Sequence, residues 1–185
     1  MFAKNSYAAT TTREISKAIG ITNGTFHHHF PTKEALLFAI CERSFLRIER
    51  AVRKAIDGVD DDVVRLRSLI QVYLSVIFED RDLHKTALVD MRSLEDENLR
   101  RAEESVAEVQ ELVREVVGRG RERGVFRTDI GEEDLVLMLL NLINWPLFWV
   151  GPKNELQVKE LEAAAATLFL DGARAEAAAK AGLVA

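Results

Sequence analysis

The sequence predicts an all-α fold in two parts: a small helix-turn-helix unit at the N-terminus and a larger helical body. Three observations carry that expectation. Apolar residues recur three and four positions apart along most of the chain, and the long runs lack the alternation that strands need. Composition is that of an ordinary globular chain, with 48% hydrophobic and 30% charged residues but only 3 Pro and 10 Gly in 185 residues, so there are few breaks and enough length to bury a core. Charge is also polarised. Residues 1–33 carry Lys4, Arg13, Lys17 and Lys33 against Glu14 alone, net +3 in a chain whose total is −5, so the remainder carries −8. A basic unit on an acidic body is the distribution expected of a DNA reader with a separate sensing domain.

The first elements are short. Thr11 followed by Glu14 has the form of a capping box, which starts a helix near Thr12. Ile15, Ala18 and Ile19 are expected on its inner face, Gly20 ends it and Ile21 turns inward. A second short helix follows, capped by Thr22 or Asn23, with Phe26 and Phe30 four apart on its buried side. Thr25, His27, His28 and His29 surround that side. Small residues at the crossing, Ser16 and Ala18, complete the pattern of a helix-turn-helix, whose second helix can lie in a major groove. Three adjacent histidines diverge by roughly 100° each around a helix, so they do not converge on a metal, and no metal or other cofactor is expected.

Pro31 stops the second helix, and Thr32 can cap a long third one from Lys33, with a stripe at Ala35, Leu36, Ala39, Ile40, Phe45, Ile48, Val52 and Ile56. Asp57–Asp62 breaks the pattern and places carboxylates at the next helix start. The body is then expected as helices near 61–79, 82–93, 96–123, 132–150 and 154–173. Val63–Phe78 is apolar on most sides and suits a central position. Leu99, Ala102, Val106, Val109, Val113 and Val116 give the long helix one stripe. Residues 135–150 are apolar all round, more than one small protomer can cover, so a homodimer is expected through Leu139, Leu142, Trp145, Phe148, Trp149, Leu161, Ala165 and Leu168. That stretch is too short and too polar to span a bilayer, since it contains Asn141, Asn144 and Pro146. The expected domains are 1–45, 46–173 and an Ala-rich tail at 174–185.

Other classes are disfavoured. Cys41 is the single cysteine, which excludes an internal disulfide and suits a reducing cytoplasm. No basic start and apolar run mark a signal peptide in residues 1–12. An enzyme is not expected: Cys41 has no evident His or Asp partner, no Glu-x-x-His pair suits a di-iron bundle, and no Gly-rich phosphate loop follows a strand. A helical interaction module without a DNA role is the alternative.

The stretch SYAATTTREISKAIGITNGTFHHHFPTKEALL resembles the DNA-binding end of TetR-family transcriptional regulators, in its Gly-Ile turn, Gly-Thr pair, aromatic-flanked His, Pro and Lys-Glu-Ala-Leu. The resemblance implies a ligand-responsive regulator, a repressor released from a palindromic double-stranded operator by a small-molecule effector. It implies that Thr12 and Arg13 touch phosphate or a base edge, that Asn23, Gly24, Thr25, His27 and His29 face the groove, and that Lys33 meets a phosphate. Position 27 departs from the family pattern, which has Tyr there; an imidazole is shorter and can titrate near neutrality. The family also carries a full helix before Ser6, where this chain has only the last turn or so, so a truncated first helix is expected. A sensor lining is expected from Tyr73, Ile77, His84, Leu88, Met91, Arg92, Val113, Val117, Asn141 and Trp145, in a largely apolar site. The apolar C-terminal half loosely resembles family members that respond to acyl thioesters.

Overall fold

In the computed structural model, residues 1–151 and 155–173 are described, and every regular element among them is helical. The expected tail at 174–185 and the start of the last helix at 154 lie outside the described residues. Local chemistry sets the first boundaries. After a single turn, α1 (Phe2–Asn5), helix α2 (Thr12–Ala18) begins where Thr11 Oγ1 accepts the Glu14 N–H and Glu14 Oε2 accepts the Thr11 N–H. Gly20 reverses the chain at φ +73, a conformation an L side chain resists. Ile15 and Ser16 are buried as the inner face, but Ile19 is not: it is the C-cap of α2 and 62% exposed. Its expected place passes to Ile21, whose N–H donates to the Ser16 carbonyl.

Helix α3 (Asn23–His29) is capped by Thr22, and α4 (Lys33–Ile56) by Thr32, whose Oγ1 accepts the Ala35 N–H. The body helices are α5 (Asp62–Glu79), α6 (Arg81–Asp90), α7 (Asp96–Glu122), α8 (Glu132–Asn144), α9 (Pro146–Trp149) and α10 (Glu155–Ala173). Two of these depart from expectation. The helix expected over 82–93 gives way to a 3-10 turn at Met91–Ser93. The helix expected over 132–150 breaks at Trp145, because Pro146 has no N–H to donate and its ring crowds the preceding turn.

The helices form two compact units that interleave along the chain. Met1–Arg47 joins Asp80–Ala107, while Ile48–Glu79 joins the chain from Glu108 onward, so α4 and α7 supply residues to both. In the first unit, Phe2, Ile15 and Phe26 form a buried trio, with Tyr7, Ile21, Phe30, Leu36 and Ile40 packed round it. Here α4 uses two faces. Leu36 and Ile40 meet the trio, whereas Leu37 and Cys41, absent from the expected stripe, are fully buried. Burial, followed by the charge of Asp90, pushes the Cys41 thiol up to about 12, so it is an inert core group. Helix α6 is tied in by two long-range bonds: Ser44 Oγ with His84 Nδ1 at 2.7 Å, and the Tyr7 N–H to Asp90 Oδ1.

In the second unit α5 is central, as expected. Leu66, Leu69, Ile70, Leu74 and Ile77 are fully buried, and α5 packs against both α8 and α10. The acidic turn works as expected at Asp61, whose Oδ1 accepts the Val64 N–H, and Asp62 binds Arg119 and Arg123. On α7, Ala102, Val109, Val113 and Val116 are buried on the expected stripe, and Leu112 and Val117 widen it. At the C-terminus of α7 the carbonyl of Gly120 accepts N–H groups from Val125 and Phe126, which turns the Phe126 ring onto the helix. A Cβ at Gly120 would overlap that ring, and Phe126 is fully buried. Gly120→Ala should therefore lower unfolding free energy by about 1–3 kcal/mol, measured by urea denaturation; an unchanged midpoint would mean that the ring is free to move.

Candidate nucleic-acid interface

α3 has seven residues, too few to be stable alone in water. It is held at one side. Phe26 is 2% exposed and lies 5.9 Å, centroid to centroid, from Phe30, whose N–H donates to the Phe26 carbonyl. Everything else on the helix faces water: Asn23, Gly24, Thr25, His27, His28 and His29 are all exposed. The N-terminal turn is stiffened by Thr22, whose Oγ1 accepts the Thr25 N–H at 3.0 Å and shares a 2.9 Å hydrogen bond with the Thr25 hydroxyl.

The histidines divide by role. His27 Nδ1 lies 3.0 Å from the Pro31 carbonyl oxygen. A carbonyl only accepts, so Nδ1 carries the proton and Nε2 of the neutral ring is left as an acceptor. The His27 ring also stands edge-on to Phe26 at 5.4 Å, and the rings of His28 and His29 meet each other at the same centroid distance. His27 is thus fixed in orientation from two sides. Nothing among these contacts brings the three rings to one point.

The start of α2 supplies the second part of the surface. Arg13 is exposed, and Thr12 is half-buried beside it. The one acid nearby, Glu14, is spent on the capping box, and the backbone hydrogen bond from Thr11, then the side-chain one, hold its carboxyl below the usual range. Lys33, at the start of α4, is placed differently from Arg13. Its Nζ donates to the carbonyls of Tyr7 and Thr10 at 2.9 and 3.0 Å and lies 4.1 Å above the Tyr7 ring. Two of its three N–H groups therefore clamp the segment that leads into α2.

The residues expected to line a sensor site are divided between the two units. In the first unit His84 is buried against Ser44, Met91 is half-buried, Leu88 is exposed, and exposed Arg92 pairs with Glu103. In the second, Ile77, Val113 and Val117 are core residues, and buried Tyr73 donates to Asn144 Oδ1 at 3.1 Å. Asn141 and Trp145 are exposed and line an open apolar cleft of about 650 Å³ with Met138, Leu142, Pro146, Trp149 and Val150. A larger groove of about 940 Å³ runs between α5 and α10, lined by Ser68, Gln71, Val72, Ser75, Phe78, Glu79, Val158 and Glu162 among others. None of the expected residues lines it. The available signal was Glu162, a carboxylate in register with Val158, Ala166 and Phe169 on the buried side of α10.

The expected dimer residues also divide. Trp145, Phe148, Trp149 and Leu168 are exposed, with Leu137, Met138 and Leu156 beside them in type, and Leu142 and Leu161 are half-buried. Leu139 and Ala165 correct the expectation. Both are buried in the protomer's own core, because the inward phase of α8 is Leu135, Val136, Leu139 and Ile143, and that of α10 includes Ala165 and Ala166. No helix among the described residues is long and apolar enough to cross a membrane.

Comparison with known proteins agrees with this geometry. Residues 1–40 match the bacterial regulatory proteins of the tetR family, and residues 59–173 match the tetracyclin repressor-like C-terminal domain. The HTH-type transcriptional repressor KstR2 of Mycobacterium tuberculosis is 26% identical over 172 residues, covering 87% of this chain and 81% of its own. The structure of the regulator PfmR from Thermus thermophilus superposes with a TM-score of 0.85 at 26% identity, over 92% of each chain. AibR, solved in complex with isovaleryl coenzyme A and operator DNA, shares the fold with a TM-score of 0.78 at 19% identity, over 90% of each chain. With helix-turn-helix and helical body both matched, this chain belongs to the TetR family of transcriptional regulators.

Proposed function

We propose that the chain is a ligand-responsive, DNA-binding repressor whose α3 enters the major groove of a palindromic operator. The observation that carries this reading is the one-sided anchoring of α3, which leaves six of its seven residues, all polar or glycine, facing water on a rigid support. In that reading Asn23, Gly24, Thr25, His27 and His29 face base edges and sugar-phosphate. Thr12 and Arg13 at the start of α2 take phosphate, where backbone N–H groups add to the charge. Lys33 acts at one remove, holding the Tyr7 and Thr10 carbonyls so that α2 starts where phosphate can reach it.

A dimer would place two such helices about one DNA turn, ~34 Å, apart. The exposed Trp145, Phe148, Trp149 and Leu168 support a second copy as the cover for this surface, since exposed apolar area of this kind marks an association site. Effector binding in the body would favour a state that spaces the two helices differently, and the operator would be released by that shift in population. AibR, solved with an acyl thioester and its operator, supports a small-molecule effector for this chain, and the name of KstR2 supports repression.

Selection from a random duplex pool, followed by fluorescence anisotropy across a salt series, tests the reading directly. A palindromic site should emerge, and a pool with no enriched duplex would refute it. Arg13→Ala should weaken binding about equally across sequences and reduce the salt slope by about 0.9, one phosphate's worth. His27→Tyr should tighten binding about 3–10-fold, because a phenol reaches further than an imidazole and carries a donor at its tip.

Lys33→Met separates clamp from phosphate ligand. It should raise hydrogen exchange across residues 7–16 in the free protein, whereas a pure phosphate contact would leave exchange unchanged. Trp149→Glu should turn a dimer into a monomer in sedimentation velocity, and a dimer of undiminished affinity would place the interface elsewhere.

A further inference from the structure

The groove between α5 and α10 holds a charged group that the fold does not use. Glu162 sits on the inward face of α10 and is 8% exposed, and that remaining exposure opens into the groove it lines. Among the described residues its carboxylate accepts no hydrogen bond, and its one attractive charge is Lys159, one turn before it and lining the same groove. Burial accordingly pushes its carboxyl above the usual range, with Lys159 opposing the shift. A glutamine or alanine would fill this place at less desolvation cost.

Lys159 lines the groove as well, so its charge stands against the carboxylates there. Glu79 adds a second carboxylate at the C-terminus of α5, where the helix dipole is also negative. Ser68, Gln71 and Ser75 offer oxygen acceptors, and Val72, Phe78 and Val158 form an apolar wall. The volume, about 940 Å³, suits a single small molecule. We propose that this groove binds a cationic amphiphile, with its ammonium on Glu162 and its apolar part along Val72, Phe78 and Val158. With Glu79 and Glu162 against Lys159, the described lining is net negative and suits an anionic acyl thioester poorly. That the bound molecule acts as the effector rests on the repressor reading; the binding itself does not.

Titration calorimetry on the full chain without DNA tests the site, with decylammonium as probe and decanoate as its chain-matched anion. Decylammonium should bind and decanoate should not compete with it. Glu162→Gln should weaken decylammonium at least tenfold. Ser75→Lys, at an exposed position, should abolish binding by placing a tethered ammonium in the groove. Equal affinity in wild type and Glu162→Gln, tighter binding of decanoate, or no decylammonium binding at all would overturn the proposal.

The empty protein gives an independent readout. Because the folded carboxyl is raised, its charged form is disfavoured in the fold, and wild type loses stability as pH rises through the folded value. Glu162→Gln should therefore melt higher than wild type at pH 7.5 and lose that advantage in acid; a variant that melts lower at pH 7.5 would mean that the carboxylate is structurally paired. Operator affinity with saturating decylammonium is measured separately. Calorimetric binding with unchanged operator affinity would keep the site and remove its role as effector site.

Discussion

Everything at the DNA-binding end depends on the burial of one aromatic ring. A seven-residue helix loses more in nucleation than its few hydrogen bonds return, so α3 exists because Phe26 is sunk between Phe2 and Ile15. Burying such a ring stabilises by about 1.5–3 kcal/mol, comparable with the ordering cost of one or two residues. Capping by Thr22 and the edge contact of His27 then remove the remaining freedom. The result is a short rod with one greasy side and a polar remainder, which is the geometry a duplex reader needs.

The same unit is held from behind by polar groups. Tyr7 is the meeting point: its N–H goes to Asp90 on α6, its carbonyl to Lys33 on α4, and its ring lies under the Lys33 ammonium. A chain segment without helical structure is fixed in this way between two helices. Because Thr11, the cap of α2, follows directly after Thr10, the clamp also sets where α2 begins. Lys33 therefore fixes the position of other groups at this end of the chain.

Much of this was legible in the sequence, and the misses have physical causes. Capping boxes, glycine turns and proline stops act over four residues, so Thr11–Glu14, Gly20 and Pro31 could be read locally. The phase of Phe26 and Phe30 fixed which side of α3 is buried. Tertiary choices were not legible. Apolar residues continue on both sides of Asn141 and Asn144 from 135 to 150, which hid the break at Pro146 although that proline was in plain view. Helix α4 buries two faces, so one stripe could not describe it, and Leu37 and Cys41 were missed. The sensor list mixes core and surface positions for the same reason. Tyr73, Ile77, Val113 and Val117 were chosen by periodicity, and periodicity identifies core positions before it identifies cavities. Glu162 was the better clue, a charge at a position whose neighbours in register are all buried.

Amide hydrogen exchange of the protein, with and without its selected operator duplex, tests the central claim most directly. New protection concentrated at residues 11–13 and 23–29 is the predicted result. Protection that falls elsewhere while the α3 amides exchange as they do in the free protein would contradict it.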